Sequence, residues 1–317
     1  MNLVVCGLGR HAVNKILPAV SKSPKFNLYG VCSRNSNIVE EAKRSFELKG
    51  WTSFIEMLKD KNIDAIYLST PPALHKIQAE EILDSGKHLL CEKPITMSFK
   101  DTYFLVKKAN LNNLILMEGL MYLYHPHHDA LKKLLMRKKL GKLKEIKSSF
   151  QLPPLAKPGY RNDKKLGASA VYDLGIYPVS LILDLYDISE IELIDKEINY
   201  DKDLNYDISG RAFLKINNTL DCVIDWAYNK TYINEVSIFG EDLKLYSNYV
   251  FSKDIKHESN ISLYDQTELI ENIEVGRADH FELMLKSFSE SIIDPQKNKL
   301  ETKSILDLSS FLNKLIS

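Results

Sequence analysis

Lys93 is the residue hardest to explain as ordinary surface. It stands between Glu92 and Pro94, just past the apolar run Leu89-Leu90-Cys91. In an open parallel sheet, ligands lie beyond the carboxyl ends of the strands, so an ammonium there points into a crevice. The proline that follows restricts the backbone and holds the amine in place. The competing reading is a solvated turn lysine, since most lysines are exposed. A second group is Asp173 and Tyr177, four apart and so on one face of a helix. A half-buried helix tyrosine satisfied by one hydrogen bond gives the same pattern. A third is the run from Tyr122 to His128, with His125, His127 and His128 close together. Pro126 breaks any helical ligand pair from His125, and no cysteine or spaced carboxylate completes a set, so no metal site is expected.

Near the amino end, Leu3-Val4-Val5-Cys6 is followed by Gly7-Leu8-Gly9-Arg10-His11-Ala12 and then by apolar residues at helical spacing. This is the strand, glycine turn and helix of a dinucleotide fingerprint, with Ala12 in the third small position. Gly7 permits the tight turn. Gly9 lets the backbone approach a pyrophosphate at the positive helix end. An ordinary strand–helix turn competes with this reading. The next strand, Leu28 to Cys32, ends in Ser33-Arg34-Asn35. NAD binding favours an acidic residue there, on the ribose 2′-hydroxyl. A small hydroxyl and a guanidinium suit a 2′-phosphate instead, so NADP(H) is favoured over NAD(H).

The elements that must position these groups alternate. Helical material over Ile38–Leu48 precedes a strand at Ile63–Ser69. A helix then runs to Ser85 and closes at Gly86. After Pro94 comes a helix with Ser98 as N-cap, then a strand at Leu114–Met117. Strands alternating with helices mean right-handed βαβ units and a parallel sheet. Further on, the basic run Lys132–Lys144 reads as a surface helix ending at Gly141, and Ile146–Leu152 as a strand. The proline-rich stretch from Pro153 to Gly159 reads as a loop over a cleft. From Ile191 to Tyr264, alternating patterns such as Gly210–Ile216 and Glu235–Gly240 predict antiparallel strands with one wet face. His280–Ile293 and Thr302–Ile316 read as amphipathic helices.

The chain has 317 residues, which predicts two domains. Lys+Arg and Asp+Glu are both 42, which removes the global electrostatic warrant for nucleic-acid binding. No apolar run approaches a membrane span, and no basic-then-apolar targeting stretch opens the chain. Three of the 4 cysteines, Cys6, Cys32 and Cys91, sit in apolar runs, which suits buried thiols in a reducing compartment and a cytoplasmic protein.

Gly7-x-Gly9-x-x-Ala12, Thr70-Pro71-Pro72 with His75, Gly86-Lys87-His88 and Glu92-Lys93-Pro94 are similar in order and spacing to the glucose–fructose oxidoreductase/inositol dehydrogenase/rhizopine catabolism (Gfo/Idh/MocA) family. The resemblance extends into the second half, where Arg161 precedes a small-residue turn and then Asp173-x-Gly175-x-Tyr177. Many members carry histidine at the last position. The tyrosine form resembles the dihydrodiol dehydrogenase-like and glucose–fructose oxidoreductase-like branches and some nucleotide-sugar ketoreductases. The usual glycine triplet is reduced to Gly167-Ala168-Ser169, whose extra Cβ atoms crowd a bulky substrate.

The resemblance implies an α/β protein: a doubly wound parallel Rossmann domain over 1–119, then an α+β domain over 120–317 with a large open, mostly antiparallel sheet. The C-terminal helices are expected to pack back on the first domain. It also implies a homodimer or homotetramer through the open sheet face. The implied cofactor residues are Gly7, Gly9, Arg10, His11, Ala12, Ser33, Arg34, Thr70, Pro71, His75, Glu92 and Lys93. The implied activity is hydride transfer between nicotinamide C4 and a carbinol or carbonyl carbon of a sugar-like polyol. Tyr177 would be the general acid/base. A phenol near its usual pKa of about 10 is a poor base at neutral pH, and the Lys93 ammonium lowers that value. Glu92 would anchor Lys93 or the nicotinamide side, and Asp173 would orient the substrate or Tyr177. Arg161 would bind a hydroxyl, carboxylate or phosphate, and Glu118, Tyr122 and His125 would line the pocket. Two further readings stand beside a sugar enzyme: a same-fold reductase of a non-sugar carbonyl or dihydrodiol, and a catalytically silent NADP-binding sensor.

Overall fold

The computed structural model describes residues 1–157, 159–294 and 296–317. Pro158, within the expected loop, lies outside the described residues. The chain divides into two units, Met1–Met121 with Phe281–Ser309 and Tyr122–His280 with Ser310–Ser317.

In the first unit, β1 (Asn2–Cys6) is a continuous apolar run because both its faces are covered; Leu3, Val4 and Val5 have no exposed surface. A π-helical turn at Ala12–Ile16 leads into α1 (Leu17–Lys22). β2 (Asn27–Cys32) is followed by α2 (Ser36–Phe46), whose N-cap Asn35 accepts from the amides of Asn37 and Ile38. β3 (Lys49–Trp51) and α3 (Phe54–Leu58) were not expected; each is too short to show a period. β4 (Ala65–Leu68), α4 (Pro72–Asp84), β5 (His88–Cys91), α5 (Phe99–Leu111) and β6 (Leu116–Glu118) complete the alternation. Pro72 starts α4, where a missing N–H costs nothing, and Gly86 takes φ +75° just past its end. Ser98 caps α5 as expected.

All five pairings are parallel, in the order β3-β2-β1-β4-β5-β6. That is the doubly wound order, and it reverses between β1 and β4, where the ligand crevice forms. The core joins Val4, Ile66, Leu68 and Leu89 of the strands to Ile82, Leu83 and Leu105 of the helices. Later residues belong to this unit too: Phe288 stacks on Phe26 with centroids 5.7 Å apart, and Ile305 enters the core.

The second unit opens with α6 (Pro126–Met136). The basic helix expected from Lys132 and ending at Gly141 is this one, beginning and ending earlier. It ends before Lys138 and Gly141, both at positive φ. β7 (Leu143–Gln151) follows, then a π-helical turn at Val171–Gly175 and α7 (Ile176–Leu185). The remaining strands are β8 (Ile191–Tyr200), β9 (Asp207–Ile216), β10 (Leu220–Ala227), β11 (Ile233–Gly240), β12 (Lys244–Asn248), β13 (Ser259–Asp265) and β14 (Glu268–Gly276). They form one eight-stranded sheet, β14-β13-β12-β11-β7-β10-β9-β8, antiparallel except for the β10–β7 pair. α8 (His280–Ile293) and α9 (Asn298–Ile316) end the chain.

Ile146, Ile224, Trp226, Val236 and Ile238 point to the covered side of the sheet. Its wet face is a mix of charge and aromatic rings: the amines of Lys147 and Lys244 each lie 5.2 Å from the Phe239 ring centroid. The helical stretch Lys164–Leu185 is long and apolar enough to be weighed as a membrane crossing, although no such run was expected. It is 89% buried within the fold, as a core helix is.

Candidate functional site

Each unit carries its own half of the expected chemistry. In the first, the turn after β1 is shaped by two glycines with different duties. Gly7 has φ +94°, and a Cβ there would stand 2.5 Å from the Ser69 carbonyl oxygen, so the protein itself demands glycine. At Gly9 a Cβ would meet nothing within 4 Å. Its smallness therefore leaves open space at the start of a helix, which fits the backbone approach of a pyrophosphate. Arg10 and His11 are exposed beside it and Ala12 is buried under it. At the end of β2, the Ser33 amide donates to the Trp51 carbonyl at 3.1 Å, so the unforeseen β3 pins this corner. Arg34 is exposed between that bond and the Asn35 cap.

Lys93 is buried at the end of β5, 8% exposed, and its backbone is boxed in. The Glu92 amide donates to Leu68, and the Gly119 amide to Cys91 at 2.7 Å. The Ile95 amide donates to Glu118 Oε1 at 2.9 Å. Glu92 accepts from the Tyr67 hydroxyl and lies 3.1 Å from His11 Nε2. Burial pushes the Glu92 carboxyl up, but His11, Tyr67 and Lys93 more than reverse it, so it stays below the usual range. Burial raises Glu118 to about 7, against the Ile95 amide that favours its anion. Glu118 thus supports the segment after Lys93. Thr70 donates to Gln78 at 2.6 Å, and Pro71 is the N-cap residue of α4. His75 has no exposed surface and both its ring nitrogens face backbone carbonyls. It bridges the carbonyls of Pro94 and Thr70 from within the protein.

In the second unit Tyr177 is 6% exposed, on the first turn of α7. Its ring packs against Phe150, Phe251 and Tyr122, at centroid distances of 5.1, 5.6 and 5.9 Å. Its carbonyl accepts from Ser180, whose hydroxyl also lies 2.8 Å from that of Tyr122. Asp173, 2% exposed, was expected to share a helix face with Tyr177. Its carboxylate faces Tyr160 at 2.8 Å, Tyr228 at 3.0 Å and both Nε and Nη2 of Arg161. Arg161 therefore engages Nε and one of its two terminal nitrogens on Asp173. Burial alone lowers its pKa, and Asp173 overrides that to leave it above the ordinary value. Burial, then Asp173, pushes the Tyr228 phenol well up. Tyr228 and Tyr160 were missed; nothing in their local sequence marks them. Gly175 lets this turn sit on Trp226, since a Cβ there would come within 2.9 Å of the indole.

The histidine run is core. Tyr122 is fully buried and His125 is 1% exposed, and the His125 Nε2 atom has no hydrogen-bond partner among the described residues. His125 is the N-cap of α6 and accepts from the His127 amide at 3.0 Å. His127 lies 2.7 Å from the Ser247 hydroxyl and 3.2 Å from the Lys253 amine; His128 lies 2.7 Å from Asp184. Burial drops His125 to about 4, His127 to about 2 and Lys253 to about 7. Among the described residues no group of three or more His, Cys, Asp or Glu is placed to hold a metal. All four cysteines are free and buried.

A doubly wound parallel sheet with a glycine turn open to pyrophosphate, joined in sequence to a mostly antiparallel α+β unit, defines a class of nicotinamide-dependent oxidoreductases. Residues 1–120 match the model of an oxidoreductase family with an NAD-binding Rossmann fold, and residues 128–246 match the GFO/IDH/MocA C-terminal domain. The chain belongs to the Gfo/Idh/MocA family of oxidoreductases. It is 23% identical over 289 residues to the dTDP-3,4-didehydro-2,6-dideoxy-alpha-D-glucose 3-reductase of Actinomadura kijaniata, covering 91% of this chain and 86% of the relative. It is 30% identical over 182 residues to the trans-1,2-dihydrobenzene-1,2-diol dehydrogenase of Xenopus laevis, covering 56% of this chain and 54% of the relative. The crystal structure of a 3-ketoreductase from Actinomadura kijaniata, in complex with NADP and TDP-benzene, shares the fold with a TM-score of 0.95 at 22% identity, over 100% of this chain and 97% of that one. That protein has also been solved with one lysine changed to alanine and with one tyrosine changed to phenylalanine. The two altered positions are as many residues apart as Lys93 and Tyr177 are here.

Proposed function

We propose that this chain reduces, or in reverse oxidises, a carbon of a nucleotide-linked sugar, with NADP(H) as its cofactor. Bound NADP(H) supplies or takes the hydride; the protein's part is to place the substrate and move a proton. Tyr177 carries that proton at the substrate oxygen. Lys93 stabilises the phenolate and polarises the same oxygen. Asp173 acts through position: its bonds to Tyr160, Arg161 and Tyr228 fix the turn on which Tyr177 stands. Gly9, Arg10 and His11 hold the pyrophosphate, and Ser33 and Arg34 receive the 2′-phosphate. The observation that carries this reading is the matched spacing of lysine and tyrosine, together with a near-full-length relative that reduces a dTDP-linked sugar. NADP over NAD is supported by the guanidinium at the end of β2 and by the NADP in the similar structure.

We also propose self-association through the wet face of the eight-stranded sheet, whose rings need cover, and a reducing compartment for the free thiols. Sedimentation of the purified chain tests the first of these.

A thermal-shift series tests the main reading. NADP(H) should raise the melting temperature more than NAD(H) does, by mass action. Nucleoside diphosphate alone should add protection, and free sugars none. Protection by dihydrodiols and not by nucleotides would move the assignment to a dihydrodiol enzyme. NADPH binding with no turnover on any carbonyl would make the chain a sensor.

A further inference from the structure

His75 sits on the first turn of α4 and has no exposed surface. Its Nδ1 lies 2.7 Å from the carbonyl oxygen of Pro94, and its Nε2 lies 2.8 Å from that of Thr70. Thr70 follows β4, and Pro94 directly follows Lys93. The ring thus joins the turn after β4 to the peptide that carries the amine. Proline has no N–H to tie residue 94 from the donor side, so its carbonyl is where that residue is held.

We propose that His75 is a positioning residue for Lys93: its Nδ1–H bond to the Pro94 carbonyl fixes the backbone that aims the ammonium. The proposal rests on the reading of Lys93 as the group that polarises the reacting oxygen. A displacement of about 1 Å at such a group costs roughly 10²-fold in rate, so a remote clamp can govern kcat without touching cofactor or substrate. The charges that face the ring are Glu92 and Lys93. Burial pushes the imidazole pKa down, the two carbonyls and Glu92 push it up, and it rests below the ordinary histidine range. A neutral ring has one N–H and serves one carbonyl; a cation serves both. The clamp therefore tightens as pH falls.

Two substitutions separate the two contacts. His75→Asn keeps a donor near the Nδ1 position, and His75→Gln moves it to the Nε2 position. Both should bind NADPH within about threefold of the parent, because the ring has no exposed surface and both its nitrogens are turned to backbone carbonyls. His75→Gln should lower kcat by roughly tenfold or more, and His75→Asn should recover most of that loss. Equal kcat in the two variants, or weakened NADPH binding with kcat kept, overturns the clamp. Lys93→Ala is the control: if it stays active, the reading of Lys93 fails. If it is inactive while His75→Gln is fully active, the clamp alone fails. One measurement on the parent protein needs no variant to fold. Long-range proton–nitrogen NMR of His75 should find a proton on Nδ1 at neutral pH; a ring protonated on Nε2 alone overturns the proposal.

Discussion

Arg161 grips Asp173 with two nitrogens of one guanidinium, in a pocket where the carboxylate is 2% exposed. Asp173→Asn keeps the shape and removes the charge, leaving the cation without its counter-ion. Breaking a buried pair costs about 3–5 kcal/mol. Arg161 is 28% exposed, so water recovers part of this and a loss of roughly 1–3 kcal/mol is expected. Urea unfolding checks it. Because the pair anchors the turn before Tyr177, kcat should fall more than KM rises. A rise in KM alone would mean that Asp173 binds substrate directly.

Glu118 gives a pH signature. Its folded pKa is raised to about 7 by burial. Between the unfolded carboxyl value and pH 7 the folded state holds more protons, so this group's contribution to stability falls as pH rises through that window. The shift corresponds to something on the order of 3 kcal/mol. Glu118→Gln keeps an acceptor for the Ile95 amide and carries no proton to lose. It should melt higher than the parent at pH 8 and close to it at pH 5. Equal differences at both pH values would contradict the assignment.

The order of strands and helices in the first unit was legible because its signals are local: apolar runs, two glycines with separate duties, the Ser98 cap and the glycine after α4. β3 and α3 were not, being shorter than any period. The candidate site was legible in part. Lys93 and Tyr177 stand at expected kinds of position, a strand end and a helix start. His75, Tyr122 and His125, which look like ligand contacts in sequence, are buried; His75 and Tyr122 hydrogen-bond within the protein, whereas His125 keeps its Nε2 without a partner among the described residues. The partners of Asp173 come from two separate segments, Tyr160-Arg161 and Tyr228 just past the end of β10. No spacing rule links side chains brought together only by a sheet.

Acid should loosen the second unit. His125 and His127 are held neutral by burial, with pKa values of about 4 and about 2. Their contribution is fully present above the ordinary histidine pKa of about 6.5, and it is lost as pH falls toward the folded values, since unfolding lets them take up protons. Melting temperature should therefore drop from pH 7 to pH 4. His127→Gln should melt lower than the parent at pH 7, having lost its bonds to Ser247 and Lys253, and show a shallower slope below it. An unchanged slope would remove His127 from the acid response.

Arg34 should set cofactor preference. Arg34→Ala removes a charge-assisted contact worth about 1.5–3 kcal/mol, so NADPH affinity should fall by roughly 10- to 100-fold while NADH affinity barely changes. Titration by nicotinamide fluorescence measures both. Equal losses for the two cofactors would place Arg34 on the shared part of the dinucleotide.

The central claim is that Lys93 and Tyr177 serve one proton transfer. Single-turnover oxidation of bound NADPH by a nucleotide-linked keto sugar tests it in the parent, Lys93→Ala, Tyr177→Phe and the double variant. Each single change should slow the step by about 10² or more with NADPH affinity kept, and the double variant should be little slower than the worse single one. Losses that multiply, or a parental rate in Tyr177→Phe, would contradict it.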